Sequence, residues 1–154
     1  MFKNKQKSIM KLLIFFLLIS STTVFGQHPQ GTLNINTTGY NNSNGKAIIM
    51  LFEKGNEIPK SPFKTLFSPI KDGKAQFQFS DLAYGQYAAL LLHDENNNGK
   101  IDHFLGLPSE QLGYSNNWQL GFFTGMPSFK KLAFTYSASS QVQQINITYK
   151  KNKN

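Results

Sequence analysis

Apolar and polar residues alternate with a period of two along most of this chain. In residues 31–37 (GTLNINT), Leu33 and Ile35 fall on one face and Asn34 and Asn36 on the other. That is the signature of a half-buried strand. Residues 75–79 (AQFQF) repeat it, with Phe77 and Phe79 inward. Residues 46–52 (KAIIMLF) and 86–92 (QYAALLL) are apolar on both parities and read as strands covered on two faces. A weaker strand over 64–70 is interrupted by Pro69, and Lys71-Asp72-Gly73-Lys74 is a hairpin signal. Strands over 129–136 and 142–149 close the series, the last with Val142, Ile145 or Ile147, and Tyr149 as candidate core positions. No segment shows a convincing helical period. About seven short strands with turn signals between them predict an all-β domain over 27–149, a single antiparallel β-sandwich.

Residues 103–128 break the alternation. They hold Gly106, Pro108, Gly113, Gly121, Gly125 and Pro127 together with Trp118, Phe122 and Phe123. An excursion this long is expected either to carry a function or to pack on itself.

The first 26 residues read as a leader rather than as fold. Lys3, Lys5, Lys7 and Lys11 precede the apolar run 12–19, and Val24-Phe25-Gly26 offers a cleavage site before Gln27. This is the pattern of a secretory signal peptide, too short to span a bilayer well. Without a cysteine there is no lipid-anchored form, and no later segment is apolar enough to cross a membrane. The expected location is the periplasm, the cell surface or the extracellular medium.

Charge adds little. Of sixteen lysines, four lie in the leader, so twelve face eight acidic residues for a net of +4. Lys150, Lys151 and Lys153 belong to a basic tail, 150–154, expected to be disordered, which leaves the domain body near +1. Arginine, the favoured residue for bidentate phosphate and guanine contacts, does not occur. Nucleic acid is therefore not an expected partner. With no disulfide available, stability must come from the core, a metal or a partner.

Three of the eight acidic residues fall in HDENNNGKID, residues 93–102. Counted from Asp94, positions 1, 3 and 5 are Asp94, Asn96 and Asn98, and position 6 is Gly99. Position 7 is Lys100, which offers only its backbone carbonyl, and position 9 is Asp102 after apolar Ile101. This matches the first nine residues of a calcium loop: hard oxygens at alternate positions, and a glycine for the sharp bend. Position 12 is Leu105 instead of the bidentate glutamate, and a strand precedes the loop, so a helix–loop–helix is not expected. Glu110, the only carboxylate in the excursion beyond His103, is the candidate for the missing ligand. Asx-rich turns use the same residue types without any ion, so both readings of the loop stand.

Other chemistry is thinner. His93 and His103 flank the loop, but two imidazoles alone make a poor zinc site. There is no G-x-S-x-G nucleophile elbow. Trp118, Phe122 and Phe123 could stack on sugars, with Tyr114, Ser115, Asn116 and Asn117 hydrogen bonding beside them, or they could pack the excursion onto the domain.

Three stretches resemble a family of secreted bacterial proteins known as domain of unknown function number 2141. They are 79–88 (FSDLAYGQYA), the 93–102 run, and 105–117 (LGLPSEQLGYSNN), with Pro127-Ser128-Phe129 and Ala133-Phe134 fitting as well. The resemblance covers most of the mature chain. It implies an Ig-like or prealbumin-like sandwich and no established activity. The Leu82-x-x-Gly85-x-Tyr87 step is also similar to prealbumin-type surface modules, where the Tyr begins a core strand. A prealbumin-like hydrolase would be expected to pair His with Arg, which this chain lacks. The expected function is an exported, non-catalytic binding or scaffold domain for a protein or glycan at the cell envelope, with a structural calcium ion on Asp94, Asn96, Asn98, Lys100, Asp102 and Glu110. The alternatives are a carbohydrate- or ligand-binding module using Tyr114, Asn116 and Trp118 in the excursion 104–128, and a small hydrolase.

Overall fold

A computed structural model describes residues 29–121 and 123–148. The leader, His28, Phe122, Tyr149 and the basic tail lie outside the described residues, so the expectations placed on them stay where the sequence left them. The strands are β1 (Gln30–Thr38), β2 (Lys46–Phe52), β3 (Lys64–Ser68), β4 (Lys74–Ala83) and β5 (Gly85–Asp94), then the short β6 (His103–Phe104), β7 (Leu107–Pro108) and β8 (Leu112–Tyr114). A single helical turn, α1 (Phe129–Leu132), precedes β9 (Phe134–Tyr136) and β10 (Val142–Thr148).

The fold is all-β, but its strands do not separate into two antiparallel sheets. One sheet runs β3-β2-β5-β8-β10-β1-β4, with β9 added on β5. Its two end strands are consecutive in sequence. The tight Lys71–Lys74 bridge joins them, with Asp72 and Gly73 at φ 50° and 68°, so the sheet curls into a nearly closed barrel. Two features overturn the antiparallel sandwich. The first and last strands, β1 and β10, pair in parallel, Ile35 opposite Gln143. And β8, only three residues long, pairs with both β5 and β10, joining what would otherwise be two halves.

Alternation puts Leu33, Ile35, Phe77, Phe79, Ile145 and Ile147 inside the barrel. Val142 shares parity with the outward Gln144 and Asn146 and is 52% exposed, so it is not a core residue. Strand β5 is buried on both faces, as its composition demanded. Ala89 and Leu91 face the barrel interior, whereas Leu90 and Leu92 join an outer cluster with Ile48 and Phe52. The excursion covers that cluster with Tyr114, Trp118 and Leu120, and Phe129 of α1 joins them. A strand over 129–136 is also corrected: its first half is α1. Phe129 and Leu132, three residues apart, lie on one side of the turn, and Leu132 is fully buried in the outer cluster. Burying such a side chain contributes about 2 kcal/mol. Tyr87 begins the buried part of β5 and its hydroxyl donates to Ala83 O at 2.8 Å.

Candidate metal centre

Strand β5 delivers the loop. Its last residue, Asp94, is fully buried. Asp94 Oδ1 accepts the Asn98 amide at 3.0 Å and Oδ2 the Gly99 amide at 2.9 Å. Gly99 stands at φ 75°, the left-handed bend the sequence pattern required. Lys46 Nζ lies 3.1 Å from Asp94 Oδ2. Burial alone would raise the Asp94 pKa, but the Gly99 and Asn98 amides and the Lys46 ammonium prevail and hold it below the ordinary carboxylate value.

The remaining loop residues point the same way. Asn96 Oδ1 accepts Asn98 N at 3.0 Å, and Asn98 Oδ1 accepts Lys100 N at 2.8 Å, two Asx turns that wind the backbone. The amide nitrogens of Asn96 and Asn98 both donate to the Asp102 carboxylate, at 2.7 and 3.0 Å. The hairpin β6–β7, with Leu105 and Gly106 at φ 51° and 78°, then folds the chain back, and Ser109 N donates to Asp102 O at 2.9 Å. This return carries Glu110 to the loop, where its Oε2 accepts Asp102 N at 3.1 Å. Glu110 Oε1 is buried with no hydrogen-bond partner. The Glu95 amide also favours the charged form of Glu110. Burial raises the Glu110 pKa, the Asp102 amide opposes this, and repulsion from Asp102 and Asp94 adds to it. Asp94, Asn96, Asn98, Asp102 and Glu110 are thus brought together. The Lys100 side chain is exposed, consistent with a role for its carbonyl alone.

Among the described residues, no three His, Cys, Asp or Glu side chains stand close enough to hold a metal by themselves. Any cation held here would need the oxygens of the two carboxamides as well. As placed, their nitrogens rather than their oxygens face the Asp102 carboxylate. A half-turn of each amide would present oxygen there instead, at the cost of losing two Asx-turn bonds of about 1 kcal/mol each, because the amide nitrogen cannot accept.

A second layer supports the loop, and the sequence reading missed most of it. His93, fully buried, places Nδ1 3.0 Å from Gln111 Oε1 and Nε2 2.9 Å from Asn44 O. Its ring meets Tyr40 edge-on at 5.3 Å. Both nitrogens are engaged, so it offers none to His103, which is exposed on β6. Gly45, at φ 66°, passes so close that a Cβ there would sit 1.9 Å from Asp94 O. Lys46 pairs directly opposite Asp94 in the β2–β5 ladder; knowledge of that register is the signal that would have found it.

The aromatic end of the excursion is built differently. Tyr114 is buried, and burial pushes its pKa up to about 12. Trp118 packs edge-on against it at 4.7 Å, with Lys131 Nζ 5.6 Å from the indole centroid. Asn116 Nδ2 donates to Lys131 O at 3.1 Å. Tyr114 and Trp118 therefore pack over β5, while Asn116, exposed, ties the turn to α1. Ser115, buried between them, accepts Ala89 N at 2.8 Å and donates to Leu132 O at 2.6 Å, tying β5 to the end of α1.

The model of a bacterial family spans the barrel and this loop, matching residues 35–144. The chain belongs to domain of unknown function 2141, described as uncharacterized protein conserved in bacteria. No curated protein and no solved structure matches the chain. The 2141 match includes every residue of the loop, its Glu110 return and its His93–Gln111 support. No helix among the described residues is long and apolar enough to cross a membrane.

Proposed function

We propose that this protein is an exported, non-catalytic β-domain that serves binding or scaffolding at the cell envelope, with loop 94–102 holding a structural calcium ion. The observation that carries the reading is Glu110. Its carboxylate is drawn out of water beside Asp102 and Asp94, with one buried oxygen unmatched. A half-buried carboxylate repelled by two others is costly, and a divalent cation relieves that cost for all three acidic groups at once. Hard oxygens from carboxylates, amides and one carbonyl suit calcium over zinc or copper. Only three of the donors are charged, so the affinity expected is that of extracellular modules, about 10⁻⁴–10⁻³ M.

Residues 27–154, stripped with chelator and followed with a calcium-selective electrode, should bind one ion per chain in that range. Magnesium, which demands a tighter octahedron, should compete poorly. Absence of saturable uptake up to 10-fold above that range would leave an ion-free Asx-rich turn as the correct description. Mass spectrometry of exported protein should show a chain starting at or near Gln27; retention of the apolar leader would refute export by signal cleavage.

A further inference from the structure

We propose that the outer face of β4, β1 and β10 is a binding site for a neutral glycan chain. The strand register sets nine outward positions in three rows: Gln78–Asn34–Val142, Gln76–Asn36–Gln144 and Lys74–Thr38–Asn146. Six of the nine are carboxamides. Strand surfaces favour Thr, Val and aromatic residues, and Asn is depleted there, so propensity does not account for this composition. The parallel return of β10 beside β1 is what assembles the rows, since β10 comes from the far end of the chain.

The chemistry of the face narrows its occupant. Each carboxamide offers two N–H donors and a carbonyl acceptor. Gln78 Nε2 donates to Asn34 Oδ1 at 3.3 Å and Thr38 Oγ1 to Asn146 Oδ1 at 2.6 Å. Among the described residues, no side-chain hydrogen bond engages Asn36, Gln76 or Gln144. A shallow cavity of about 460 Å³ lies over the first two rows, bounded by Asn34, Asn36, Gln76, Gln78 and Val142. The only formal charge in the array is Lys74, at one corner. A polyanion would find a single cation there, too few for the multiple contacts such ligands need. An apolar protein surface would strand the amides without partners, and the centres of protein interfaces are apolar. A polyhydroxyl chain without charge supplies both donors and acceptors, and its C–H faces can rest on the half-exposed Val142. The proposal stands apart from the calcium loop, which contributes no residue to this face.

Affinity gel electrophoresis tests it, with mannan, dextran, xylan or laminarin cast in the gel, and polygalacturonate and alginate as charged controls. Wild-type protein should be retarded by at least one neutral polymer and by neither charged one. The variant Asn36→Thr/Gln76→Thr/Gln144→Thr keeps strand propensity and should weaken the retardation at least tenfold with an unchanged circular dichroism spectrum. Gln76→Glu, a single exposed change on the edge strand β4, is the second variant, and the same loss is expected. The proposal is overturned if no neutral polymer retards the wild type, if charged polymers retard it equally, or if either folded variant binds as the wild type does. Loss on Trp118→Ala with binding retained in both face variants would place the site in the excursion instead.

Discussion

Adding calcium to chelator-treated protein should raise its melting temperature by an amount the loop itself sets. Calcium bound to the folded state alone stabilises by RT ln(1 + [Ca]/Kd). With three carboxylates, two neutral amides and one carbonyl, a Kd of about 10⁻⁴–10⁻³ M applies. At about 10 mM free calcium this gives ~2.7 kcal/mol at the tight end and ~1.4 kcal/mol at the weak end. Unfolding entropy near ~2.1 cal/mol/K per residue, over a domain of about 120 residues, amounts to ~0.25 kcal/mol/K. The shift should then be about 5–11 °C, read by differential scanning calorimetry. Equal concentrations of magnesium should give much less, which separates coordination from the general screening of Asp94, Glu95, Asp102 and Glu110. Asp102→Asn is the sharpest perturbation. It keeps the shape, sits at a partly exposed position and removes one of three ligand charges, so most of the shift should vanish. A melting temperature that is the same in chelator and in calcium, with a retained ion excluded by elemental analysis, would refute the reasoning.

Four further outcomes follow from the geometry. Lys46→Met removes the ammonium that shields buried Asp94; melting in chelator should occur at lower temperature, and the calcium-induced rise should be larger than in the wild type. Glu110→Gln takes a charge out of a desolvated acidic corner, so it should stabilise the chelator-treated protein while shrinking the calcium response, both visible in the same scans. Ser115→Ala leaves Ala89 N and Leu132 O without their buried partner and should cost about 2–4 kcal/mol in urea unfolding. Tyr40 and Tyr114, pushed up to about 12 by burial, against which the Thr37 hydroxyl works at Tyr40, should stay un-ionised in a spectrophotometric titration to pH 11. A raised folded pKa favours the protonated form, so their contribution is complete below the unfolded value of about 10 and is lost as pH rises from there toward 12.

Alternation revealed the strands because it is local: Leu33 and Ile35 in β1 and Phe77 and Phe79 in β4 are buried where the period places them. Their arrangement was not legible for a physical reason. β8 is three residues long and contains a glycine, so it carries no period, yet it is the piece that joins β5 to β10. The parallel β1–β10 pair brings together segments more than a hundred residues apart, and nothing local in either strand records its neighbour. The helical turn α1 is one Phe-Lys-Lys-Leu step, too short for a helical period to rise above the strand pattern around it.

The turn over 94–102 was legible because it too is local. Asp94, Asn96, Asn98, Gly99 and Asp102 lie within nine consecutive residues, and their spacing encodes the bend and the Asx turns that the loop makes. Its supports come from elsewhere in the chain: Lys46 through the β2–β5 register, Gln111 and Glu110 through the return of the hairpin, Gly45 through close backbone approach. The aromatic residues were harder to weigh, although the deciding signal was present. A strand apolar on both parities, as β5 is at Leu90, Leu91 and Leu92, needs a second layer over its outer face. Tyr114, Trp118 and Phe129 are the large apolar residues left to supply it. Once they are assigned to that task, Phe123 remains as an exposed aromatic of the excursion. Asp94, Glu95, Asp102 and Glu110 make up half of the eight acidic residues in the chain, and amides of the loop answer Asp94, Asp102 and Glu110. Lys46 is paired with Asp94, while Asp102 and Asp94 repel the Glu110 carboxylate, so the response of Glu110→Gln to calcium is where the ion-bound and ion-free descriptions of the loop part.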